Sequence, residues 1–405
     1  MILKNVRIRK DNILVKKDVE VLDGVFTRIE DKIDEDGVDY DNAYLIPGLC
    51  DIHVHFREPG QIHKETIKTG SMAAAKGGYT TVFLMPNLNP VPDNLEHLKV
   101  EEDIIKNDSV IESIPYASVT VGEKGNEVSD IENLKSHTRY FSDDGVGFHD
   151  YDVLEKALTL IKKYDLFIAS HAEDSVYKTA PKGEYLAVEK EIEVAKKLDA
   201  KYHFCHMSTK ESFALIKKAQ EEGYKITCEV TPHHLFLNED DIENPNFKMN
   251  PPLRSKEDQK ATLDALLTGV ATVIATDHAP HSEEEKNKEY KLAPNGIIGL
   301  ETALMLVYTN LVKTGKATFK QLEDWMSNNP RKLMGLKPLE IKVGSEASFA
   351  LIDIDNPHIY TKDEILSKGK NSPFIGKELY GYNKLTVFRG KIVYSTKGDK
   401  QWIEN

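Results

Sequence analysis

Short apolar runs alternate with stretches of helical spacing along most of the chain. Between residues 44 and 281 there are eight runs of strand length: YLIPGLCDIHVHF, GYTTVFLMPN, SIPYASVTVG, TRYFSDDG, DLFIASHAED, KYHFCHMS, YKITCEVTPHH and ATVIATDHAPH. Several of the segments between them space their apolar residues as an amphipathic helix does: KETIKTGSMAAAKG, YDVLEKALTLIKKY, AVEKEIEVAKKL and KESFALIKKAQEEG. Alternating strands and helices predict a parallel sheet. Eight such units favour a closed (β/α)8 barrel of the TIM type, with a doubly wound open sheet as the competing arrangement.

Both ends of the chain show a different pattern, in which short alternating strands are separated by turns. Examples are ILKNVRIRK near the start and KLTVFRGKIVYS near the end. The predicted fold class is therefore α/β, with a TIM-like barrel over residues 47–339. We expect residues 1–46 and 340–405 to build one small β-sandwich module beside that barrel.

Composition and charge narrow the classes of function. The 405 residues carry a formal net charge of −13, which argues against non-specific binding to nucleic acid or to an anionic membrane. The three cysteines indicate no disulfide framework and suit a reducing cytoplasm. The first residues do not have the pattern of a signal peptide, and no apolar run approaches the roughly 20 residues of a membrane helix. We therefore expect a cytoplasmic protein without a nucleic-acid or membrane partner.

Two histidines stand at the end of the first barrel strand, in the stretch PGLCDIHVHFREPG. His53 and His55 are two residues apart, so on a strand their side chains point to the same face. Two neutral imidazoles that converge on one point make half of a transition-metal site. The alternative is a pair of polar side chains on a half-buried strand, and the other strands must supply further ligands if the metal interpretation is correct.

Other barrel strands also end in residues that can bind metal. These residues are Asp143 and Asp144, His171, His206, and Asp277 with His278 and His281 just beyond it. Each one alone could be a capping or hydrogen-bonded residue. Because the carboxyl ends of parallel barrel strands share one face, their joint occurrence predicts a single site there.

Four histidines and two aspartates are more ligands than one catalytic zinc needs. They suit two metal ions that share a carboxylate and a water molecule. An aspartate at the end of the eighth strand can then accept a proton from that water and donate it to a leaving nitrogen.

These motifs resemble the amidohydrolase superfamily, and more narrowly the dihydroorotases of the long, barrel-plus-β-module type. The resemblance covers essentially the whole chain and rests on PGLCDIHVHFREPG, TTVFLMPN, FSDDG, HAED, YHFCHMSTKES, CEVTPHH, NPPLR, ATDHAPH and NGIIGLET. It implies two divalent metal ions, with zinc expected and manganese or cobalt as alternatives. One ion would be held by His53, His55 and Asp277, and the other by His171 and His206. A direct aspartate bridge is implied, since RYFSDDG lacks the carboxylated lysine that hydantoinases and allantoinases generally use. Asp144 rather than Asp143 would be that bridge, because the metal ligand in similar enzymes is the second aspartate of the pair.

The resemblance also implies a set of substrate-binding residues. Arg57 would clamp the ring carboxylate of dihydroorotate with its planar guanidinium, a geometry that suits carboxylates. Asn87 and His281 match the other carboxylate contacts of the family, and Asn250 matches a residue that contacts the ring. The alternative for Arg57 is a surface ion pair.

The implied reaction is the reversible conversion of dihydroorotate and water to N-carbamoyl-L-aspartate, a step of de novo pyrimidine biosynthesis. The attacking species would be a hydroxide shared by the two metal ions, with Asp277 as the catalytic proton shuttle. Two alternatives stay open: another cyclic amidase (hydantoinase, dihydropyrimidinase or allantoinase), and a non-catalytic partner of aspartate carbamoyltransferase. The resemblance leaves a homodimer and an association with that transferase open as well. The segment between His171 and His206 is shorter than expected for bacterial relatives. This difference removes no ligand, and we expect any effect to be on the rim of the pocket or on a subunit contact.

Some tempting residues are not assigned to the metal site. His233 and His234 are adjacent, so on a strand they would point to opposite faces, and we interpret them as structural or supporting groups. His203 is an odd number of residues from His206 and is expected to face outward. Glu173 is a candidate to orient a ligand, and the role of His278 stays open.

Overall fold

The computed structural model describes residues 1–397. The strands are β1 (Ile2–Lys10), β2 (Ile13–Leu22), β3 (Val25–Glu30), β4 (Val38–Asp39), β5 (Tyr44–Pro47), β6 (Leu49–Val54), β7 (Tyr79–Leu84), β8 (Glu112–Pro115), β9 (Ala117–Ser118), β10 (Tyr140–Ser142), β11 (Phe167–Ser170), β12 (Tyr202–Phe204), β13 (Ile226–Val230), β14 (Val273–Ile274), β15 (Phe349–Asp353), β16 (His358–Ile359), β17 (Glu378–Leu379), β18 (Tyr382–Phe388) and β19 (Lys391–Ser395). The helices are α1 (Ile67–Lys76), α2 (Leu95–Asp108), α3 (Ile131–Leu134), α4 (Tyr151–Lys163), α5 (Pro181–Leu198), α6 (Lys210–Glu221), α7 (Pro232–Phe236), α8 (Lys256–Thr268), α9 (Glu283–Lys286), α10 (Leu300–Val307), α11 (Phe319–Glu323) and α12 (Asn329–Leu333).

The middle of the chain forms the predicted parallel barrel. Strands β6, β7 and β8 pair in that order, and β9 to β14 pair in sequence order, all in parallel. β8 and β9 are two parts of one barrel strand, interrupted at Tyr116. The barrel closes where the His55 N–H donates to the His278 carbonyl at 2.9 Å, beside a parallel bridge between Val54 and His278. The prediction of a TIM-type barrel is thus confirmed.

The barrel interior is packed with side chains that alternate along the strands, as in other closed barrels. The buried cluster includes Cys50, Phe83, Tyr116, Ala169 and Cys205. The three cysteines are buried and free, in agreement with the expected absence of a disulfide framework. The helices lie between consecutive strands, and local caps fix their starts: the Thr66 hydroxyl accepts from the Thr69 N–H at the start of α1.

Both ends of the chain contribute to one further sheet, as predicted. Its strand order is β19-β18-β15-β5-β1-β2-β3, with β4 beside β1. A separate apolar core lies beneath it and includes Leu3, Val19, Phe26, Phe349 and Leu385. The part of the predicted module at residues 398–405 lies outside the described residues.

One part of the C-terminal region leaves this sheet and packs on the barrel. We call residues 365–372 the C-terminal strap. The Glu301 carboxylate, at the start of α10, accepts hydrogen bonds from the Leu366 N–H at 2.9 Å and the Ser367 N–H at 3.0 Å. The strap therefore runs along the barrel face on which the strands end. In the described part of the chain, no helix has both the length and the apolarity needed to cross a membrane.

Candidate metal centre and substrate cavity

Asp144 lies at the middle of a cluster of four histidines. Its Oδ1 is 3.4 Å from His53 Nε2, 3.4 Å from His206 Nε2 and 3.8 Å from His171 Nδ1. Its Oδ2 is 3.5 Å from His55 Nε2. The ends of β6, β10, β11 and β12 bring these five side chains together, because parallel barrel strands end on one face.

Asp277 completes the cluster from the end of the eighth barrel strand. Its Oδ1 lies 3.0 Å from His55 Nε2 and 3.6 Å from His53 Nε2. Its backbone has a φ of 48°, a left-handed conformation that is uncommon for residues with a side chain. The buried Asp51 carboxylate ties this strand to β6, since it accepts from the His53 N–H at 3.0 Å and the Thr276 N–H at 3.1 Å.

Asp143 and Asp144 have different surroundings. The Asp143 carboxylate accepts from the Val119 N–H at 2.7 Å, from the Thr120 N–H at 3.0 Å and from the Thr120 hydroxyl. These bonds fasten the end of β10 to the segment after β9. Asp144 Oδ1, in contrast, is buried and has no hydrogen-bond partner among residues 1–397. Of the two aspartates, Asp144 is the one whose carboxylate remains available to a ligand.

The chemistry of the cluster suits divalent cations. Within the described residues, the buried atoms His53 Nε2, His55 Nδ1 and His206 Nδ1 have no hydrogen-bond partner. Burial opposes ionisation of Asp144, yet the neighbouring His53 and other histidines hold its pKa well below the usual range. Imidazoles grouped around ionised carboxylates, with unpaired buried atoms, are the donor set that zinc and similar ions prefer. His53, His55 and Asp277 form one compact group of ligand atoms, and His53, Asp144 and His206 form another.

The Glu229 carboxylate binds the ring nitrogen of His53 that faces away from Asp144 and Asp277. The His53 Nδ1–H donates to Glu229 Oε1 at 2.7 Å, which leaves Nε2 directed at Asp144 and Asp277. Glu229 Oε2 in turn accepts from His203 Nε2 at 3.1 Å. All of these side chains are buried. Glu229 thereby fixes the tautomer and the orientation of His53, a common supporting arrangement for metal-binding histidines.

Sequence reasoning missed Glu229 and placed His203 wrongly. His203 is buried rather than outward-facing, with its ring bonded to Glu229 and to the Thr227 hydroxyl at 2.8 Å. The error came from extending the alternation of β12 to His206, which lies beyond the strand and has a φ of 35°. A signal for Glu229 exists in the sequence: it is the one charged residue of β13, a strand that is largely buried in the barrel.

The pair His233 and His234 also differs from expectation, because it lies on the short helix α7 rather than on a strand. His234 donates from Nε2 to the Pro251 carbonyl at 3.0 Å and accepts at Nδ1 from the Thr231 hydroxyl at 2.8 Å. His278 accepts at Nδ1 from the Gly299 N–H at 3.2 Å. These bonds give His234 and His278 local partners in the structure.

A cavity of about 290 Å³ opens directly above the cluster. His55, Asp144, His171 and Asp277 form its floor, and its lining also includes Arg57, Asn87, Asn250, Ala279, Asn295 and Gly296. Four of the six predicted metal ligands and three of the four predicted substrate-binding residues therefore line one cavity.

Arg57 is the main positive charge of this cavity. Its Nε is buried and has no hydrogen-bond partner among residues 1–397. Asn87 donates from Nδ2 to the Asp144 carbonyl at 2.6 Å and to Glu123 Oε1 at 3.2 Å. An unpaired guanidinium at the side of a cavity is suited to bind an anionic group of a ligand.

Asn250 connects the cavity to one of the clustered histidines. Its Nδ2 is 3.2 Å from His171 Nε2 and 3.1 Å from Glu173 Oε2, while its Oδ1 is buried without a partner in the described chain. Glu173 Oε2 also lies 3.7 Å from His171 Nε2. Glu173, the candidate to orient a ligand, is thus placed beside His171.

The structure does not bring His281 to the cavity surface. Its Nε2–H donates to the Asn295 carbonyl at 2.7 Å, and a Cβ added to Gly296 would lie only 3.0 Å from its Cδ2. The ring is thus behind the wall formed by Ala279, Asn295 and Gly296. It borders a second cavity of about 170 Å³. Its predicted contact with the substrate stays a prediction.

Comparison with known proteins gives the same family over nearly the whole chain. Residues 43–182 match the family described as Dihydro-orotase-like. The chain is 40% identical to a dihydroorotase of Anoxybacillus flavithermus and 40% identical to one of Bacillus cytotoxicus, in each case over 97% of this chain and 98% of the relative. Two solved structures share the fold. They are a dihydropyrimidinase from Brevibacillus agri (TM-score 0.85, 21% identity, 98% of this chain and 95% of the other) and an L-hydantoinase from Arthrobacter aurescens (TM-score 0.87, 24% identity, 97% and 96%). The chain belongs to the dihydroorotase family of the amidohydrolase superfamily.

Proposed function

We propose that this protein is a dihydroorotase, which interconverts dihydroorotate and N-carbamoyl-L-aspartate in de novo pyrimidine biosynthesis. The observation that carries the proposal is the unpaired Arg57 guanidinium in the cavity above the cluster of histidines and aspartates. Dihydroorotate has a ring carboxylate that this guanidinium can bind, whereas hydantoins, dihydropyrimidines and allantoin lack that group. The relatives named dihydroorotase, 40% identical over nearly the full chain, support the same choice.

The proposed cofactor is a pair of divalent metal ions, with zinc as the expected metal. His53, His55 and Asp277 would hold one ion, His171 and His206 the other, and Asp144 would bridge them. The unpaired buried atoms of His53 and Asp144 support this assignment, since a protein seldom leaves such atoms without a partner. When bound, the ions would activate water as a nucleophile and polarise the carbonyl group that it attacks.

In the proposed hydrolysis, the oxygen of a water molecule bonds to the ring carbonyl carbon beside the amide nitrogen. Asp277 accepts a proton from that water. The carbon–nitrogen bond then breaks, and Asp277 returns the proton to the departing nitrogen. Ring closure, the biosynthetic direction, is the reverse of these steps. Burial opposes ionisation of Asp277, but the hydrogen bond with His55 at 3.0 Å and the charges of the neighbouring histidines hold its pKa below the usual range. Its carboxylate is therefore ionised and able to accept the proton.

The proposed substrate-binding residues act by fixing the position of the ring. Arg57 and Asn87 would bind the carboxylate, Asn250 would contact the ring, and His281 would join the carboxylate contacts. Holding the reacting carbon against the nucleophile supplies part of the rate enhancement, because the entropy cost of alignment is met on binding. Arg57, Asn87 and Asn250 line one cavity, which supports their part of the proposal.

One preparation tests the function: metal content per chain is measured together with hydrolysis of dihydroorotate, hydantoin, dihydrouracil and allantoin. About two metal ions and a strong preference for dihydroorotate are expected. Preference for one of the other substrates would be compatible with the proposed metal centre, but it would mean that Arg57 does not determine substrate specificity. No metal and no turnover after addition of zinc would mean a non-catalytic partner of aspartate carbamoyltransferase.

The cellular setting is part of the same proposal. We place the enzyme in the cytoplasm, where its three free cysteines stay reduced. Light scattering tests whether the protein forms a homodimer. The same measurement with aspartate carbamoyltransferase added tests whether the two proteins form a complex. The domain division at residues 47–339 is likewise a proposal, which limited proteolysis tests.

A further inference from the structure

Asn371, in the C-terminal strap, is buried and forms hydrogen bonds to one side of the substrate cavity. Its Nδ2 donates to the Ala279 carbonyl at 3.1 Å and to the Gly296 carbonyl at 3.0 Å. Its Oδ1 accepts from the His281 N–H at 3.1 Å, and its own carbonyl accepts from the Ile298 N–H at 3.0 Å. One residue thereby satisfies four backbone groups on two separate segments of the chain.

Those two segments form a wall of the cavity. Residues 278–281 follow the eighth barrel strand, and residues 295–298 precede α10. A bridge between His278 and Ile297 and a bond from the Ala279 N–H to the Ile297 carbonyl, 2.8 Å, join them. Ala279 and Gly296 face the cavity on one side, while their carbonyls bind Asn371 on the other. Asn371 therefore joins the two segments of this wall, and Lys286 Nζ also donates to the Gly296 carbonyl, at 2.9 Å.

The strap packs directly against the wall. A Cβ added to Gly369 would lie 2.7 Å from Pro280 Cβ and 3.1 Å from the His281 nitrogen, so the two backbones have no room for a side chain between them. Close contact of this kind transmits a displacement of the strap to the wall, because packed interiors deform little.

The strap is also fastened to the loop that carries Arg57. The buried Glu65, in the loop after β6, accepts from the Lys368 N–H at 3.1 Å and from the Ser367 hydroxyl. Glu301 holds the strap from a third side, through the N–H groups of residues 366 and 367. Asn371 is thus fixed relative both to the Arg57 loop and to the wall formed by residues 279–281 and 295–298.

We propose that Asn371 is a positioning residue for substrate binding: it sets the cavity wall at Ala279 and Gly296 relative to Arg57 without touching the substrate. This inference rests on the proposed dihydroorotase function. Because Asn371 reaches neither the metal ligands nor Asp277 in the described contacts, its loss affects the placement of the ring more than the chemical step.

The test measures kcat and KM for dihydroorotate in the wild type, N371A and N371D. N371D keeps the shape of the side chain and the acceptor for His281, but it places an oxygen against the carbonyls of Ala279 and Gly296. N383A is the matched control. Asn383 is another buried C-terminal asparagine, and its Nδ2 donates to the Lys76 carbonyl at 3.0 Å, away from the cavity. Hydrogen exchange of residues 279–281 and 295–298 provides a readout that does not depend on turnover.

Both Asn371 variants are expected to raise KM by about tenfold or more, with kcat changed less than KM, and to speed hydrogen exchange in the wall. N383A should lower the melting temperature without either effect. Unchanged KM and unchanged exchange in N371D, which keeps the native shape, would overturn the inference even if N371A fails to fold. An equal loss of kcat in all three variants would assign Asn371 a merely structural role. If the wild type does not hydrolyse dihydroorotate, the proposed function itself is wrong. This result is obtained before any variant is compared, so it is distinct from a failure of the Asn371 inference.

Discussion

The Oε1 of Glu229 lies 2.7 Å from Nδ1 of His53, and both side chains are completely enclosed by the barrel. This contact assigns the proton of His53 to Nδ1 and directs Nε2 to the cluster. The nearby histidines, His53 first, lower the pKa of Glu229 to about 2 although burial opposes it, so the carboxylate is charged at neutral pH. Glu229 is therefore placed to support the proposed metal centre without belonging to the predicted ligand set.

E229Q should weaken metal binding by about 10–100-fold, because the neutral amide holds His53 less firmly and lowers its basicity. The measurement is metal retained per chain during titration with a competing chelator. E101Q is the matched control: Glu101 is buried on α2, and its carboxylate has no hydrogen-bond partner among residues 1–397. If E229Q and E101Q retain metal equally well, Glu229 does not support the centre.

Asp277 is predicted to contribute mainly to proton transfer in the reaction and less to the retention of metal. D277N should keep much of the bound metal, since His53 and His55 remain, and should lower kcat by about 10²–10⁴-fold, the usual contribution of a general base. Metal analysis and steady-state turnover of dihydroorotate are measured on the same sample. Near-normal turnover of D277N would refute the proton-shuttle role.

The barrel and the cluster of histidines and aspartates followed from the sequence because both depend on simple periodicities. Apolar strands at regular intervals predict the closed sheet, and residues at the strand ends must then meet on one face. His53 and Asp277 were identified in this way although 224 positions separate them, and the structure places Nε2 of His53 3.6 Å from Oδ1 of Asp277. The strand-end rule requires no knowledge of individual side-chain contacts.

The supporting contacts could not be predicted in the same way. The orientation of His203 depended on where β12 ends, and the left-handed backbone of His206 breaks the alternation. His281 lies behind Gly296 because residues 295–298 pair with the segment after the eighth strand, and the strap then packs against that segment. Such long-range packing of irregular segments leaves no periodic signal in the sequence.

Arg57 is predicted to determine the preference for a substrate with a carboxylate. R57A should raise KM for dihydroorotate by about 10–100-fold, the value of a charge-assisted hydrogen-bonded pair, while turnover of hydantoin changes little. Steady-state kinetics on both substrates measures this difference. K64A is the matched control, because Lys64 is a neighbouring cation that already pairs with Glu285 at 3.4 Å. An R57A enzyme with wild-type KM for dihydroorotate would exclude a carboxylate clamp.

The last prediction separates the two adjacent aspartates at the end of β10. D143A removes an acceptor of two buried N–H groups, those of Val119 and Thr120. The Val119 N–H keeps the Ser142 carbonyl at 3.3 Å, but the Thr120 N–H is left unpaired, which costs about 1–3 kcal/mol. D143A should therefore melt at a lower temperature but still bind metal when folded. D144A should lose metal, because no other carboxylate of the described chain lies near all four histidines.

Thermal melts of D143A and D144A with and without added zinc distinguish these outcomes. Zinc should raise the melting temperature of the wild type and of D143A, since a ligand that binds only the folded state stabilises it. It should have a much smaller effect on D144A. The reverse result, a zinc response in D144A and none in a folded D143A, would transfer the bridging role to Asp143. Because the two residues are neighbours with equal charge, such a difference reports the direction of each carboxylate and not the net charge of the site.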